Sequence, residues 1–181
     1  MVATNETNEP PGNTLCKSCG LCCTGYLFIR TKLKSAEMDS AQALGLPVLR
    51  SDPRLRGFSQ PCPLWHGQCT IHNSPQYPRF CGTYQCKLLK QMLEENISLP
   101  EALPLIEQAK EMIHEVETLL PPPQGSTLNF RERLVVCLEN SEEFGKQKNA
   151  DPDFRRKAAA LLIFYEKVFG VNDLVDPPEQ E

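Results

Sequence analysis

Cys16-Lys17-Ser18-Cys19-Gly20-Leu21-Cys22-Cys23 places four thiols in eight residues, and the rest of the chain reads outward from it. A CxxC step lets two thiolates converge on one centre, and repeating the step adds a third ligand without distant chain. Gly20 relieves crowding where the backbone wraps tightly. An extended Cys22–Cys23 pair would point its side chains in opposite directions, so the two serve different centres or only one of them ligates. Downstream, Cys62, Cys69, Cys81 and Cys86 form a looser second group, and only Cys137 stands apart. The eight clustered cysteines are the candidate metal ligands, divided as two four-ligand sites or as one site with spare thiols beside it.

Nine cysteines are an odd number, which fits a complete disulfide framework badly. The polar N-terminus lacks the positive start and apolar run of a secretory signal, so the expected setting is cytoplasmic, where thiols stay reduced. Four thiolates suit tetrahedral zinc or a [4Fe–4S] cluster. The crowding of four ligands into eight residues favours the cluster. A net charge of −4 argues against a broad nucleic-acid surface, and no apolar run is long enough for a membrane span. The expected partners are therefore a metal ion or cluster and, for the helical half, a protein.

The fold class read from the pattern is α+β: a small cysteine-rich, metal-bound core with short strands, then a mainly helical half. Residues 1–15 read as a disordered lead-in, 16–95 as the cysteine domain, 96–175 as a helical extension packed on it, and 176–181 as a fraying tail. Tyr26 to Ile29 suits a buried strand, and Ser35 opens a short helix closed by Gly45. Arg50 to Pro63, with three prolines, reads as a loop. His66-Gly67-Gln68 turns a hairpin, and Tyr84 to Leu93 reads as helix.

Ser98-Leu99-Pro100-Glu101 is a capping box opening a helix whose apolar face runs from Ala102 to Leu120, and Pro121 to Pro123 end it. Phe130, Leu134, Cys137 and Leu138 have helical spacing, although Leu134-Val135-Val136 also suits a strand. Asp151, Pro152 and Gly170 punctuate a last helix carrying Phe154, Ala158, Leu161, Leu162, Tyr165 and Phe169.

Among the other residues, Cys137 reads as a buried core thiol, and His114 as solvent-facing. His66 and His72 read as an exposed turn residue and a strand side chain rather than ligands. Trp65, Tyr77, Phe80 and Tyr84 read as walls that keep water from the metal. Arg54, Arg56 and Arg79 read as scattered surface charges. No Walker loop, dinucleotide fingerprint or nucleophile elbow is present, so no catalytic residue is assigned.

The cysteine pattern resembles the CxxCxxCC family, the YkgJ-like zinc- or iron-chelating domains. Cys16 to Cys23 match its first element, Cys62-Pro63-Leu64 its second, and Cys69-Thr70-Ile71-His72 its third, with His72 in place of tyrosine. Pro78-Arg79-Phe80-Cys81 and Tyr84-Gln85-Cys86 match the last. Tyr77 and Gly82 stand where the family has arginines, and the Cys69–Cys81 spacing is longer. The resemblance covers about half the chain and implies the cysteines as ligands, position by position. That family in turn resembles the cysteine-rich part of FliB-type protein lysine N-methylases, which implies an iron–sulfur centre. A zinc-stabilised interaction module is the other reading.

Overall fold

The computed structural model describes residues 11–72, 74–121, 129–143 and 151–172. Within them the fold is α+β: seven α-helices and one three-stranded antiparallel sheet. Helix α1 spans Pro11–Cys19, beginning inside the stretch read as a lead-in, and Leu15 on it is buried. Residues 1–10 and the expected tail lie outside the described residues.

Strands β1 (Arg30–Lys32), β2 (Val48–Leu49) and β3 (Gly57–Ser59) pair in the order β1-β3-β2. Thr31 and Val48 both face Phe58 across β3. A Cβ on Gly57 would stand 2.2 Å from the Thr31 carbonyl oxygen, so only glycine allows this approach. Phe58, Leu33, Met38, Ala41 and Leu46 close a small core beside the sheet. Two expectations fail here. The strand expected at Tyr26–Ile29 is an irregular bend, and pairing begins only at Arg30. Leu27 and Phe28 are both buried, as a buried strand would have them, but the N–H groups of Tyr26 and Leu27 turn back to the Leu21 carbonyl instead of to a neighbouring strand. The loop expected at Arg50–Pro63 contains β3 and a 3-10 turn at Pro53–Leu55, both too short for periodicity to show.

Ser35 opens a 3-10 turn that leads into α2 (Met38–Ala43), and Gly45 ends it at φ +83°. The helix expected at Tyr84–Leu93 is α4 (Lys87–Leu93), starting three residues later, and a short helix α3 (Arg79–Thr83) precedes it. Cys86 sits at the N-cap of α4, its sulfur accepting from the Leu89 N–H at 3.4 Å.

Helix α5 (Leu99–Glu117) starts as its capping box implies, the Glu101 carboxylate accepting from the Ser98 N–H at 2.9 Å. Ala102, Ile106, Ala109, Ile113 and Val116 form its buried stripe. Of the tri-proline stop, Pro122 and Pro123 lie outside the described residues. Helix α6 (Phe130–Glu143) resolves the helix-or-strand ambiguity in favour of helix. Asn129 caps it, accepting from the Glu132 N–H while its own N–H donates to the Glu132 carboxylate, at 2.9 and 2.8 Å. Helix α7 (Pro152–Phe164) carries on into a π-helical turn, Tyr165–Phe169, and Gly170 closes it in the left-handed conformation.

One continuous core joins both halves: Leu15, Leu21, Leu27, Phe28 and Leu88 from the cysteine half meet the buried faces of α5, α6 and α7. Helix α1 packs on α4 and α5, and α5 packs on α7. Asn129 Nδ2 donates to the Gln60 carbonyl at 3.0 Å, tying the start of α6 to the chain just before Cys62.

Ile106, 1% exposed, anchors α5 in this core, whereas Ile163 on α7 is 52% exposed. Ile106→Ala should lower stability by about 2–5 kcal/mol. Ile163→Ala should change it by no more than about 0.5 kcal/mol. Urea unfolding of the two variants checks the pair, and comparable losses would mean that α5 and α7 are packed in a different rotation.

Candidate metal centre

The thiol-bearing segments converge because each is held by its own local device. Cys16 and Cys19 lie three residues apart on the last turn of α1, which puts them on one face. Gly20 ends the helix at φ +68°, and a Cβ there would meet the Trp65 ring at 2.1 Å. Glycine is therefore required twice, by backbone conformation and by the indole lying against it. Residues 21–25 form a turn, so Cys22 and Cys23 are not the extended pair the sequence reading considered. The Thr24 N–H donates to the Gly20 carbonyl at 2.9 Å and steadies that turn.

The second group is fastened to the first by backbone. The Cys62 N–H donates to the Cys23 carbonyl at 2.7 Å, and the Trp65 N–H donates to the Cys62 carbonyl at 3.1 Å. Trp65 and Cys69 form an isolated antiparallel bridge around Gly67, which has φ +75°. The expected hairpin is thus present in its shortest form. Cys81 lies on α3, whose Arg79 N–H donates to the Glu37 carboxylate at 2.7 Å, and Tyr77 Oη donates to the Cys81 carbonyl at 3.2 Å.

These devices bring all eight predicted cysteines (Cys16, Cys19, Cys22, Cys23, Cys62, Cys69, Cys81 and Cys86) to the wall of one cavity of about 110 Å³. None of the nine cysteines is in a disulfide. The thiols surround a space rather than meeting at a point: among the described residues no three His, Cys, Asp or Glu side chains are gathered tightly enough to chelate one ion. Cys137 is away from the cavity on α6, half-buried against the main core.

Aromatic rings complete the wall. Tyr84 stacks on Phe80 with centroids 5.2 Å apart and meets Phe28 edge-on at 5.3 Å. Trp65 and Tyr77 line the same space, as expected of water-excluding side chains. His72 also lines it, beside the Tyr77 ring, whereas His66 and His114 are exposed. Arg54 pairs with Asp52 and Arg56 with Ser35, so these arginines form no shared patch.

The sequence reading missed a buried polar pair on the wall. Gln60, 6% exposed, donates through Nε2 to Thr31 Oγ1 at 2.7 Å, and its Oε1 has no partner among the described residues. No sequence pattern marks Gln60; only the fold turns it inward. Deeper in the main core, the Arg131 guanidinium lies over the Tyr165 ring at 5.2 Å, both side chains fully buried.

Burial decides the protonation of the thiols. It pushes Cys16 up to about 11 and Cys19 and Cys23 up to about 12, and neighbouring cysteines push in the same direction. Although Cys16 is exposed as a residue, its sulfur faces the cavity, and the shift reflects the sulfur's surroundings. Cys22 and Cys81 are raised for the same two reasons. Burial raises Cys62 and Cys86 too, with backbone N–H groups partly offsetting it. Several thiolates cannot share an apolar space unless positive charge joins them. The donor set therefore fits a thiophilic metal or an iron–sulfur cluster, which supplies that charge and displaces the protons.

In the reduced, metal-free protein the same shifts set a pH dependence. Below about pH 9, the ordinary thiol value, the cysteines are protonated both folded and unfolded, so their contribution to stability is fully present. As pH rises from about 9 to about 12, the unfolded chain sheds these protons while the folded chain holds them, and stability falls. Urea midpoints measured across this range under reducing conditions should decline, and a flat or rising profile would show that the thiols are not buried as described.

No family model, curated protein or solved structure matches this chain, so the resemblance to the CxxCxxCC family rests on its cysteine spacing.

Proposed function

We propose that this protein is an iron–sulfur protein whose clustered cysteine thiolates hold the metal within the cavity between α1, the Trp65–Cys69 turn, α3 and the start of α4. The observation that carries this reading is the convergence of all eight clustered cysteines, drawn from four separate segments, on one cavity. Chance burial of thiols does not select eight of nine and leave Cys137 elsewhere.

The arrangement of the thiols favours a cluster over a single zinc ion. Zinc bonded to four thiolates at about 2.3 Å draws them to one point. Here the thiols line a shared space without gathering at a point. A cluster of iron and sulfide takes its thiolates spread apart, at its corners. The likeness to the CxxCxxCC family, and through it to the cysteine-rich part of FliB-type methylases, supports the same choice. The methylase activity itself is not carried over, because the described residues offer no constellation for it.

When bound, such a cluster supplies one-electron redox capacity. The chain's own contribution is to hold and shield it: the thiols ligate, while Phe28, Trp65, Phe80 and Tyr84 keep water away. Burial and hydrogen bonds to sulfur are the levers that set a cluster's potential.

Anaerobic purification should give a brown protein with broad absorption near about 400 nm, containing iron and acid-labile sulfide. Cys81→Ser should reduce the bound iron and destabilise the fold, since metal affinity here is also folding energy. Cys137→Ser should leave the metal content unchanged. A colourless protein carrying zinc alone would overturn the iron–sulfur reading.

A further inference from the structure

We infer that the cavity holds two metal centres side by side, with ligand sets that cross the two sequence groups: Cys16, Cys19, Cys22 and Cys86 for one, Cys23, Cys62, Cys69 and Cys81 for the other. This rests on the metal-binding reading above and specifies how that site is divided.

Packing supplies the first argument. Cys19, Cys22 and Cys86 lie against the main core, whereas Cys62 and Cys81 lie against the small core around Phe58. Members of the two sets thus rest on different hydrophobic clusters while lining one cavity. Connectivity supplies the second. Helix α1 packs on α4, which brings Cys16 and Cys19 to the helix that Cys86 caps. Cys23 is tied through its carbonyl to Cys62, and Cys62 through Trp65 to the turn bearing Cys69. The boundary between the sets falls at the peptide joining Cys22 to Cys23.

All eight thiols line one cavity, so the two sets are neighbours rather than distant sites. Each set has four thiolates, the number that one [4Fe–4S] cluster or one tetrahedral zinc takes. Each also has a thiol on its own surface groove. Cys19 lies on one with Lys110, His114 and Glu117, and Cys69 on another with Lys17 and Ser74.

The test is metal stoichiometry of the full chain, purified or reconstituted anaerobically with iron and sulfide. Two centres predict about eight iron and eight sulfide per chain, with Cys22→Ser and Cys23→Ser each retaining about half. Paramagnetic resonance of the dithionite-reduced wild type should show a signal broadened by coupling between neighbouring centres, simplified in each variant. About four iron per wild-type chain and a single uncoupled signal would overturn the division and leave the iron–sulfur reading standing. The wild-type measurement decides this even if a variant fails to fold. Two zinc ions per chain would keep the two centres and overturn the iron–sulfur assignment. A chain that takes up no metal at all overturns both.

Discussion

The structure depends on one constraint: eight thiols are gathered around one cavity. Burial raises the pKa of Cys16, Cys19, Cys22, Cys23, Cys62, Cys81 and Cys86, and neighbouring thiolates raise Cys22, Cys23 and Cys81 further. Such a cavity is a poor place for anions and a good one for anions bound to a soft cation. The same residues that make the thiols reluctant to ionise therefore suit the thiophilic guest proposed above. A harder, oxygen-loving cation finds no carboxylate or carbonyl cage among the cavity-lining side chains.

The helical half follows from this demand. Short turns and three-residue strands bury too little surface to hold eight ligands in place. The α5 stripe from Ala102 to Val116 and the α7 face from Phe154 to Phe169 supply the burial that the cysteine segments lack. They reach the site directly: Ile106 and Phe169 line the cavity, and Leu15 and Leu88, from the two helices bearing or capped by the thiols, belong to the same core. The helices thus act as the floor on which α1 and α4 are set, and the division into a metal half and a helical half describes the sequence better than it describes the packing.

What the sequence makes legible follows from how local each signal is. The cysteine group Cys16–Cys23, the Ser98–Glu101 cap and the Asp151–Gly170 helix are each written in a few neighbouring residues, and the structure places them accordingly. The α5 stripe could be read because nineteen residues carry enough repeats to fix a period. The sheet could not, because β2 and β3 offer two and three residues, one of them the Gly57 that the pairing itself requires. Cys86 looked like the interior of a helix and is its cap, a role that depends on where α4 begins. Gln60 carries no pattern: its backbone is held by Asn129 from 69 residues away, and its side chain is drawn inward to Thr31. Sequence order likewise does not group the cysteines as the fold does, since α4, which Cys86 caps, packs on α1, and Cys23 is bonded to Cys62 through the backbone.

The contact of Trp65 with Gly20 shows why neither cysteine group can be assembled alone. Gly20 closes the helix bearing Cys16 and Cys19, and its missing side chain is the space into which the indole from the Cys62–Cys69 turn fits. The Cys23–Cys62 backbone bond makes the same connection three residues along the chain from Gly20 and from Trp65. A contact spanning some forty-five residues of chain must form before either set of thiols is complete, and its loop-closure cost is met only when both sides are in place. On the proposed reading, a metal that rewards the completed set would stabilise this long-range contact and not merely the local turns. The cysteine half is in either case seated on a helical core whose own signals are local.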